Sequence, residues 1–225
     1  MPDATNQQQP IFVVLEGIDG SGTTTQLPRL LAHLVARGRR AVATREPSAG
    51  PVGVLLRQIL AGQHRTSNGD GAGAGDGAAF DGRAMALLFA ADRRDHLARE
   101  IEPALASGAD VVSDRYLMSS LAYQAEEAER DWVAGLAREV RRPDLTLLLD
   151  VPVAVAAGRR RAAGRAVERY DADPVQERVA SHYRHLAAAD PAGVVVVDGA
   201  RPIADVTAAL AGAVDALLAA RARAA

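Results

Sequence analysis

The chain has 225 residues, a formal net charge of -2 and no cysteine. That length fits one domain with at most a small lid, the charge gives no bulk attraction to a nucleic-acid polymer, and the missing thiols exclude disulfides and Cys-based metal sites or nucleophiles. All 26 basic residues are arginine, so any side-chain cation offered to a phosphate is expected to be a guanidinium, which stays charged and grips phosphate with two bonds.

In chain order, residues 1–10 read as a disordered polar tail and 11–225 as a single domain. Ile11–Leu15 is a short apolar, β-branched and aromatic run, the pattern of a buried strand. Gly17-Ile18-Asp19-Gly20-Ser21-Gly22 forms the turn after it. Thr24–Arg37 then has helical spacing, with Leu27, Leu30, Leu31, Leu34 and Val35 along one face. Strand, glycine loop and helix are the context of the phosphate-binding loop G-x-x-x-x-G-K-[ST]. The glycines let successive N–H groups converge on one anion, and the helix start adds its positive dipole end. Gly17 and Gly22 are correctly spaced, and Thr24 supplies the hydroxyl that the motif gives to Mg²⁺. Thr23 stands where the motif has lysine. Nucleotide phosphate contacts are therefore expected along Gly17, Ile18, Asp19, Gly20, Ser21, Gly22, Thr23, Thr24 and Thr25.

Arg39–Thr44 reads as a second strand. Arg45-Glu46-Pro47-Ser48-Ala49-Gly50-Pro51 follows as a loop at the strand edge where α/β sheets bind ligands. Val52–Leu60 is a short helix carrying Arg57. Residues 63–79, rich in Gly, Ala and Asp, cannot bury apolar surface and read as a mobile insertion. Asp81–Ser107 is the longest helical stretch, with Met85, Leu88, Phe89, Asp92, His96 and Leu97 near one stripe. Asp110–Ser113 is a third strand with Asp114-Arg115-Tyr116 at its C-terminal end. Helices over Leu117–Ala128 and Asp131–Arg141 lead to Pro143. Leu145–Val151 is a fourth strand, and Val153–Ala163 is a helix entering the basic segment 158–172 with Arg159, Arg160, Arg161, Arg165 and Arg169. A helix over Pro174–Ala189, a strand over Val194–Asp198 and a helix over Pro202–Arg223 complete the chain. Strands alternating with helices predict a parallel sheet covered on both faces. No apolar run of membrane-spanning length stands out, and the N-terminus has no secretory pattern, so a cytoplasmic protein without a membrane partner is expected. His96, His182 and His185 lack metal-site spacing.

The segments EGIDGSGTTTQ, TREP (Thr44–Pro47), LLFAADRRDH (Leu87–His96), DRYLMSSLAYQ (Asp114–Gln124) and LLLDVP followed by the arginine-rich lid together resemble the thymidylate kinase family of nucleoside monophosphate kinases. The resemblance runs from Phe12 to the terminal helix. It implies a three-layer P-loop fold with a five-stranded parallel sheet of order 2-3-1-4-5, and transfer of the γ-phosphoryl of ATP-Mg to dTMP. It also implies Mg²⁺ held near Thr24 and Asp114, ATP and dTMP as partners, and a homodimer through helices near Asp81–Ala106. Asp19 resembles the family's contact to the sugar 3′-hydroxyl. Arg57, Arg93 and Arg115 resemble acceptor-side cations. Phe89 is expected against the thymine ring and Arg93 on a base carbonyl, and Ser119, Ser120 and Tyr123 beside the base and deoxyribose. On the residues alone, core packing of Phe89 and a surface ion pair of Arg93 with Asp92 or Asp95 compete with those roles. Glu46 reads equally as a neighbour of the Mg²⁺ shell or as a loop ion pair with an arginine.

One branch of the family carries its catalytic arginine in the P-loop just after the Asp. That position is Gly20 here, so the resemblance implies lid arginines instead, Arg161 or Arg165 foremost, supplying the charge that Thr23 lacks. Arg115, Arg161, Arg165 and Asp19 are the resulting catalytic candidates. The alternatives are another nucleoside monophosphate kinase and a catalytically weak nucleotide-binding homologue. A GTPase is disfavoured because its N-K-x-D motif needs a lysine.

Overall fold

The computed structural model describes residues 9–64, 80–164, 166 and 168–224. Most of the expected N-terminal tail and of the Gly-rich insertion, and Arg165 of the lid, lie outside the described residues.

Five parallel strands form one sheet of order β2-β3-β1-β4-β5: β1 Phe12–Gly17, β2 Ala41–Arg45, β3 Asp110–Asp114, β4 Leu145–Asp150 and β5 Val194–Asp198. The helices are α1 Thr23–Ala36, α2 Pro51–Leu60, α3 Gly82–His96, α4 Glu102–Ala106, α5 Leu117–Tyr123, α6 Arg130–Leu136, α7 Val153–Ala162, α8 Asp173–Ala189 and α9 Ile203–Ala224. The sheet order and the three layers agree with the sequence-based expectation.

β1 explains the arrangement. Its residues are buried throughout, and it pairs with β3 on one side and β4 on the other. Its side chains alternate between two cores. Val13 and Leu15 join Leu30 and Leu34 of α1 and Leu210 and Val214 of α9. Phe12 and Val14 join Ile101, Leu105 and Tyr116 on the opposite face. The edge strands are less covered than a sheet with both faces buried would have them: Val42 of β2 and Val195 and Val196 of β5 are exposed. Each edge strand has a neighbour on one side only, and the helices concentrate over the middle of the sheet.

The helix expected over Asp81–Ser107 is not uniform. Asp81 caps α3 through the Ala84 N–H at 2.7 Å. A π-helical turn over Leu97–Ile101 then separates α3 from α4. Pro103 accounts for it, since its ring would crowd the Arg99 carbonyl in a regular helix and it has no N–H to donate. The helix predicted to Arg141 stops at Leu136. A further correction concerns α9, which is long and apolar enough by length and composition to span a membrane. Its Val206, Leu210 and Val214 are buried against the sheet, and its Asp215 accepts from His33, an attachment expected of a core-covering helix.

Leu15 is fully buried at the centre of this packing. Leu15→Ala is expected to cost about 2–5 kcal/mol of unfolding free energy, read from the denaturant midpoint at unchanged slope.

Candidate active site

The C-terminal ends of β1 and β3 are neighbours, with Leu15 opposite Asp114. That register brings the loop after β1 beside the Asp-Arg-Tyr segment after β3. Gly17, Gly20 and Gly22 have φ of 156°, 89° and 107°, values that L side chains rarely adopt. The Ile18 carbonyl accepts from the Ser21 N–H at 3.0 Å, closing the turn. The Ile18 side chain is buried in a core cluster, so only its backbone is left for a ligand. Gly20 has a second constraint: a Cβ there would lie 2.5 Å from the Ala156 carbonyl of α7. Position 20 is closed to any side chain, an arginine included.

Thr24 and Thr25 are exposed at the start of α1, whereas Thr23 is buried. The Thr24 hydroxyl donates to Asp114 Oδ2 at 2.8 Å. The other carboxylate oxygen of Asp114 is buried and has no hydrogen-bond partner among the described residues. The same is true of the Ser21 hydroxyl. Unpartnered buried oxygens of this kind are costly unless a ligand satisfies them.

Arg115 ties the two loops together. Its guanidinium donates to the Gly17 carbonyl at 3.0 Å and to Asp19 Oδ1 at 2.7 Å. Its backbone has φ 70°, a strained value for a residue other than glycine. The conformation is held from both sides: its N–H donates to the Leu15 carbonyl at 2.8 Å, and its carbonyl accepts from Ser113 Oγ at 2.7 Å. Asp19 also accepts from the Tyr123 hydroxyl at 3.1 Å and from the Gln176 amide at 3.0 Å.

Beneath this lies Glu16, fully buried. It accepts from the N–H groups of Tyr116 and Ser119 at 3.0 and 3.1 Å, and from the hydroxyls of Ser119 and Tyr183 at 2.6 and 2.9 Å. Burial raises its pKa above the ordinary 4.5, against the opposing pull of Ser119, Arg115 and Tyr183. Glu16 thereby fixes the start of α5, the helix that carries Ser119, Ser120 and Tyr123.

A cavity of about 320 Å³ opens above these groups. Asp19, Arg57, Phe89, Arg115, Ser119 and Tyr123 line it, as do Thr24 and Asp114. One matched family profile, described as thymidylate kinase, covers residues 15–210. The chain belongs to the thymidylate kinase family. The probable thymidylate kinase of Thermococcus gammatolerans is 39% identical over 209 residues, spanning 91% of this chain and 96% of its own. A thymidylate kinase of Bifidobacterium longum (strain DJO10A) is 42% identical over 207 residues, 89% of this chain and 95% of its own. That of Clavibacter michiganensis subsp. michiganensis is 40% identical over 223 residues, 95% and 99% respectively.

Within this thymidylate kinase-family site, Arg93 is neither on the surface nor paired with Asp92 or Asp95. It is buried, and Glu46 Oε2 accepts from its Nε and Nη2 at 3.1 and 2.9 Å. Its Nη2 also reaches the Tyr116 carbonyl and Ser120 Oγ at 3.1 and 2.7 Å. Glu46 thus takes the arginine-pairing role that its sequence left open, and it also faces His96 at 3.3 Å. Arg57 donates to the carbonyls of Pro47 and Ser48 at 2.7 and 2.6 Å.

The lid arginines divide. Arg159 donates to the carbonyls of Ser21 and Gly199 at 3.0 and 2.9 Å, and Arg160 donates to the Asp19 carbonyl at 2.6 Å. These two sit on the P-loop backbone. Arg161 is exposed, and among the described residues no hydrogen bond ties it to that loop. Arg169 pairs with Glu127 at 2.8 Å. Sequence reading missed Glu16, Gln176, Tyr170 and Tyr183. Tyr170 lines the cavity and packs edge-on against Tyr123 at 5.5 Å. The scarcity of aromatics was a usable signal for Tyr170 and Tyr183; helical spacing around Gln176 offered none.

Gly20→Ala is expected to force the loop or α7 to move and thereby to weaken nucleotide binding by about tenfold or more, the scale of the left-handed backbone penalty that would drive the loop out of its conformation. Calorimetric titration with ATP measures it.

Proposed function

We propose that the chain acts as a thymidylate kinase, transferring the γ-phosphoryl group of ATP to dTMP and giving ADP and dTDP. The observation that carries this reading is one cavity holding the end of the phosphate loop, Arg115, Arg57 and Phe89 together. Family membership and relatives of that name at about 40% identity support it.

The bond from the γ-phosphorus to the bridging oxygen breaks, and a bond from that phosphorus to a phosphate oxygen of dTMP forms. The acceptor is already an anion, so no strong base is required. The demand on the protein is alignment and neutralisation of charge. Backbone N–H groups from Gly17 to Thr25 would hold the donor phosphates. Arg115, anchored to Gly17 and Asp19, would stand between donor and acceptor, and Arg57, which lines the same cavity, would meet the acceptor phosphate. Phe89 offers a ring face to the base, while Ser119, Ser120 and Tyr123 shape the sugar end. Asp19 and the Tyr123 hydroxyl are positioned for the sugar hydroxyl. Arg93, which also lines the cavity, serves that end through Ser120 and Glu46, and Glu46 is already engaged with Arg93 and His96.

Thr24 and Asp114 suit Mg²⁺, which takes one or two protein oxygens and keeps waters and phosphate oxygens for the rest. The buried, unpartnered Oδ1 of Asp114 fits that use. Bound there, the ion would neutralise charge on the donor phosphates. Arg159 and Arg160 already touch the P-loop backbone, so the charge absent at Thr23 is best supplied from α7 and the lid after it, Arg161 and Arg165 included. Family membership also supports a cytoplasmic homodimer joined through helices near 81–106, where Leu87 of α3 is 52% exposed.

An ADP-release assay over dTMP, dUMP, UMP and AMP is expected to show turnover with dTMP foremost. No turnover with dTMP, despite nucleotide binding, would favour the weak homologue. Arg115→Ala is expected to lower kcat by about 10²-fold or more, the scale of a lost charge-stabilising donor. Thr23→Lys is expected to raise turnover by less than about tenfold, whereas Arg160→Ala or Arg165→Ala lowers it by orders of magnitude, as removal of a phosphoryl-transfer arginine does. A large gain from lysine together with silent lid variants would remove the compensation idea.

A further inference from the structure

Asp92 is 1% exposed, and among the described residues its hydrogen bonds go to one loop residue. Oδ2 accepts from the Ser48 N–H at 2.8 Å, and Oδ1 accepts from the Ser48 hydroxyl at 2.6 Å. The Ser48 hydroxyl in turn accepts from the Gly50 N–H at 3.0 Å. On the other side, Gly53 of α2 lies flush against the same residue: a Cβ there would be 2.1 Å from the Ser48 carbonyl oxygen. Ser48 is thus clamped between α3 and α2. Its carbonyl and that of Pro47 are the two acceptors that hold Arg57 Nη1.

Without such acceptors Arg57, an exposed side chain with four rotatable bonds, would sample many rotamers and pay their entropy when it meets an anion. Two carbonyls fixed in space prepay that cost. They do so only if the loop that bears them does not move. The Asp92 carboxylate supplies that rigidity at a cost to the fold. Burial raises its pKa above the ordinary 3.8, and nearby Glu46 adds to the rise against Ser48 and His96. An acid whose folded pKa exceeds its unfolded one subtracts stability as pH rises through that interval. The charged and titratable groups that act on it are Glu46 and His96, and Glu46 is itself bonded to Arg93. A costly buried anion spent wholly on one serine of a loop is poorly explained by stability.

We infer that Asp92 is a positioning residue for the phosphoryl acceptor, acting through Ser48 and its neighbouring carbonyls on Arg57. This rests on the reading that Arg57 meets the phosphate of the nucleoside monophosphate.

The test is a double-mutant cycle of Asp92→Asn and Arg57→Ala, with KM for dTMP and for ATP measured separately. Asp92→Asn is expected to raise KM for dTMP about tenfold, the worth of a hydrogen bond to a charged group, and to leave KM for ATP within about twofold. In the Arg57→Ala background it is expected to add nothing. Should Asp92→Asn not fold, Ser48→Ala, which removes the hydroxyl's bonds to Asp92 and Gly50 and keeps the Ser48 N–H on Asp92, carries the same prediction at smaller size. The inference is overturned if KM for dTMP does not move, if both KM values rise together, or if the two substitutions multiply. If Arg57→Ala itself leaves KM for dTMP unchanged, the reading of Arg57 falls and the inference with it. If Arg57→Ala raises it and Asp92→Asn does not, only the inference falls.

Discussion

Arg115 reaches from the end of β3 to the loop after β1, and the rest of the site is built outward from that grip. Its guanidinium holds a carbonyl of the loop and a carboxylate inside it. The reach is short because β1 and β3 are adjacent in the sheet, which is in turn what a right-handed parallel crossover order permits. The strained backbone of Arg115 is tolerated because strand ends on both sides bind its N–H and carbonyl. A positive charge so fixed needs no reorganisation when phosphate charge develops beside it, the condition under which electrostatics contribute most to phosphoryl transfer.

The lysine-free composition reshapes the remainder of the charge. A P-loop lysine is a point charge on a flexible stem; guanidinium groups are planar and demand acceptors in fixed places. Accordingly several arginines in and beside this cavity are tethered to backbone carbonyls or a buried acid: Arg57 to the carbonyls of Pro47 and Ser48, Arg93 to Glu46, Arg159 to the Ser21 carbonyl, Arg160 to the Asp19 carbonyl. Such tethers aim a side chain that would otherwise wander. Behind them, Glu16 and Asp92 hold hydroxyl and backbone N–H groups in place, and burial disfavours their ionised forms.

Much of this was legible in the residues. Strand and helix periods located every strand to within a few residues: β1, β4 and β5 hold apolar runs of three or four residues, and β2 and β3, with weaker runs, lie between a helix stop and a ligand-edge loop. Glycine spacing located the phosphate loop, because its positive φ values exclude other residues. What was not legible depended on contacts between distant segments. Arg93 has the same letter whether it meets a base or Glu46, and only the fold decides. Gln176 lies 157 positions from Asp19, and no local pattern marks it. The break at Leu97–Ile101 had one sequence signal, Pro103, but the apolar period runs on past it to Leu105, so the stretch reads as one helix.

The carbonyl of Ala156, lying where a side chain at Gly20 would begin, couples the phosphate loop to α7. A larger residue at position 20 would push the backbone of α7 away. The guanidinium groups of Arg159 and Arg160, which α7 lays on the loop, would be carried off with it. One missing methyl group thus keeps two distant segments in register.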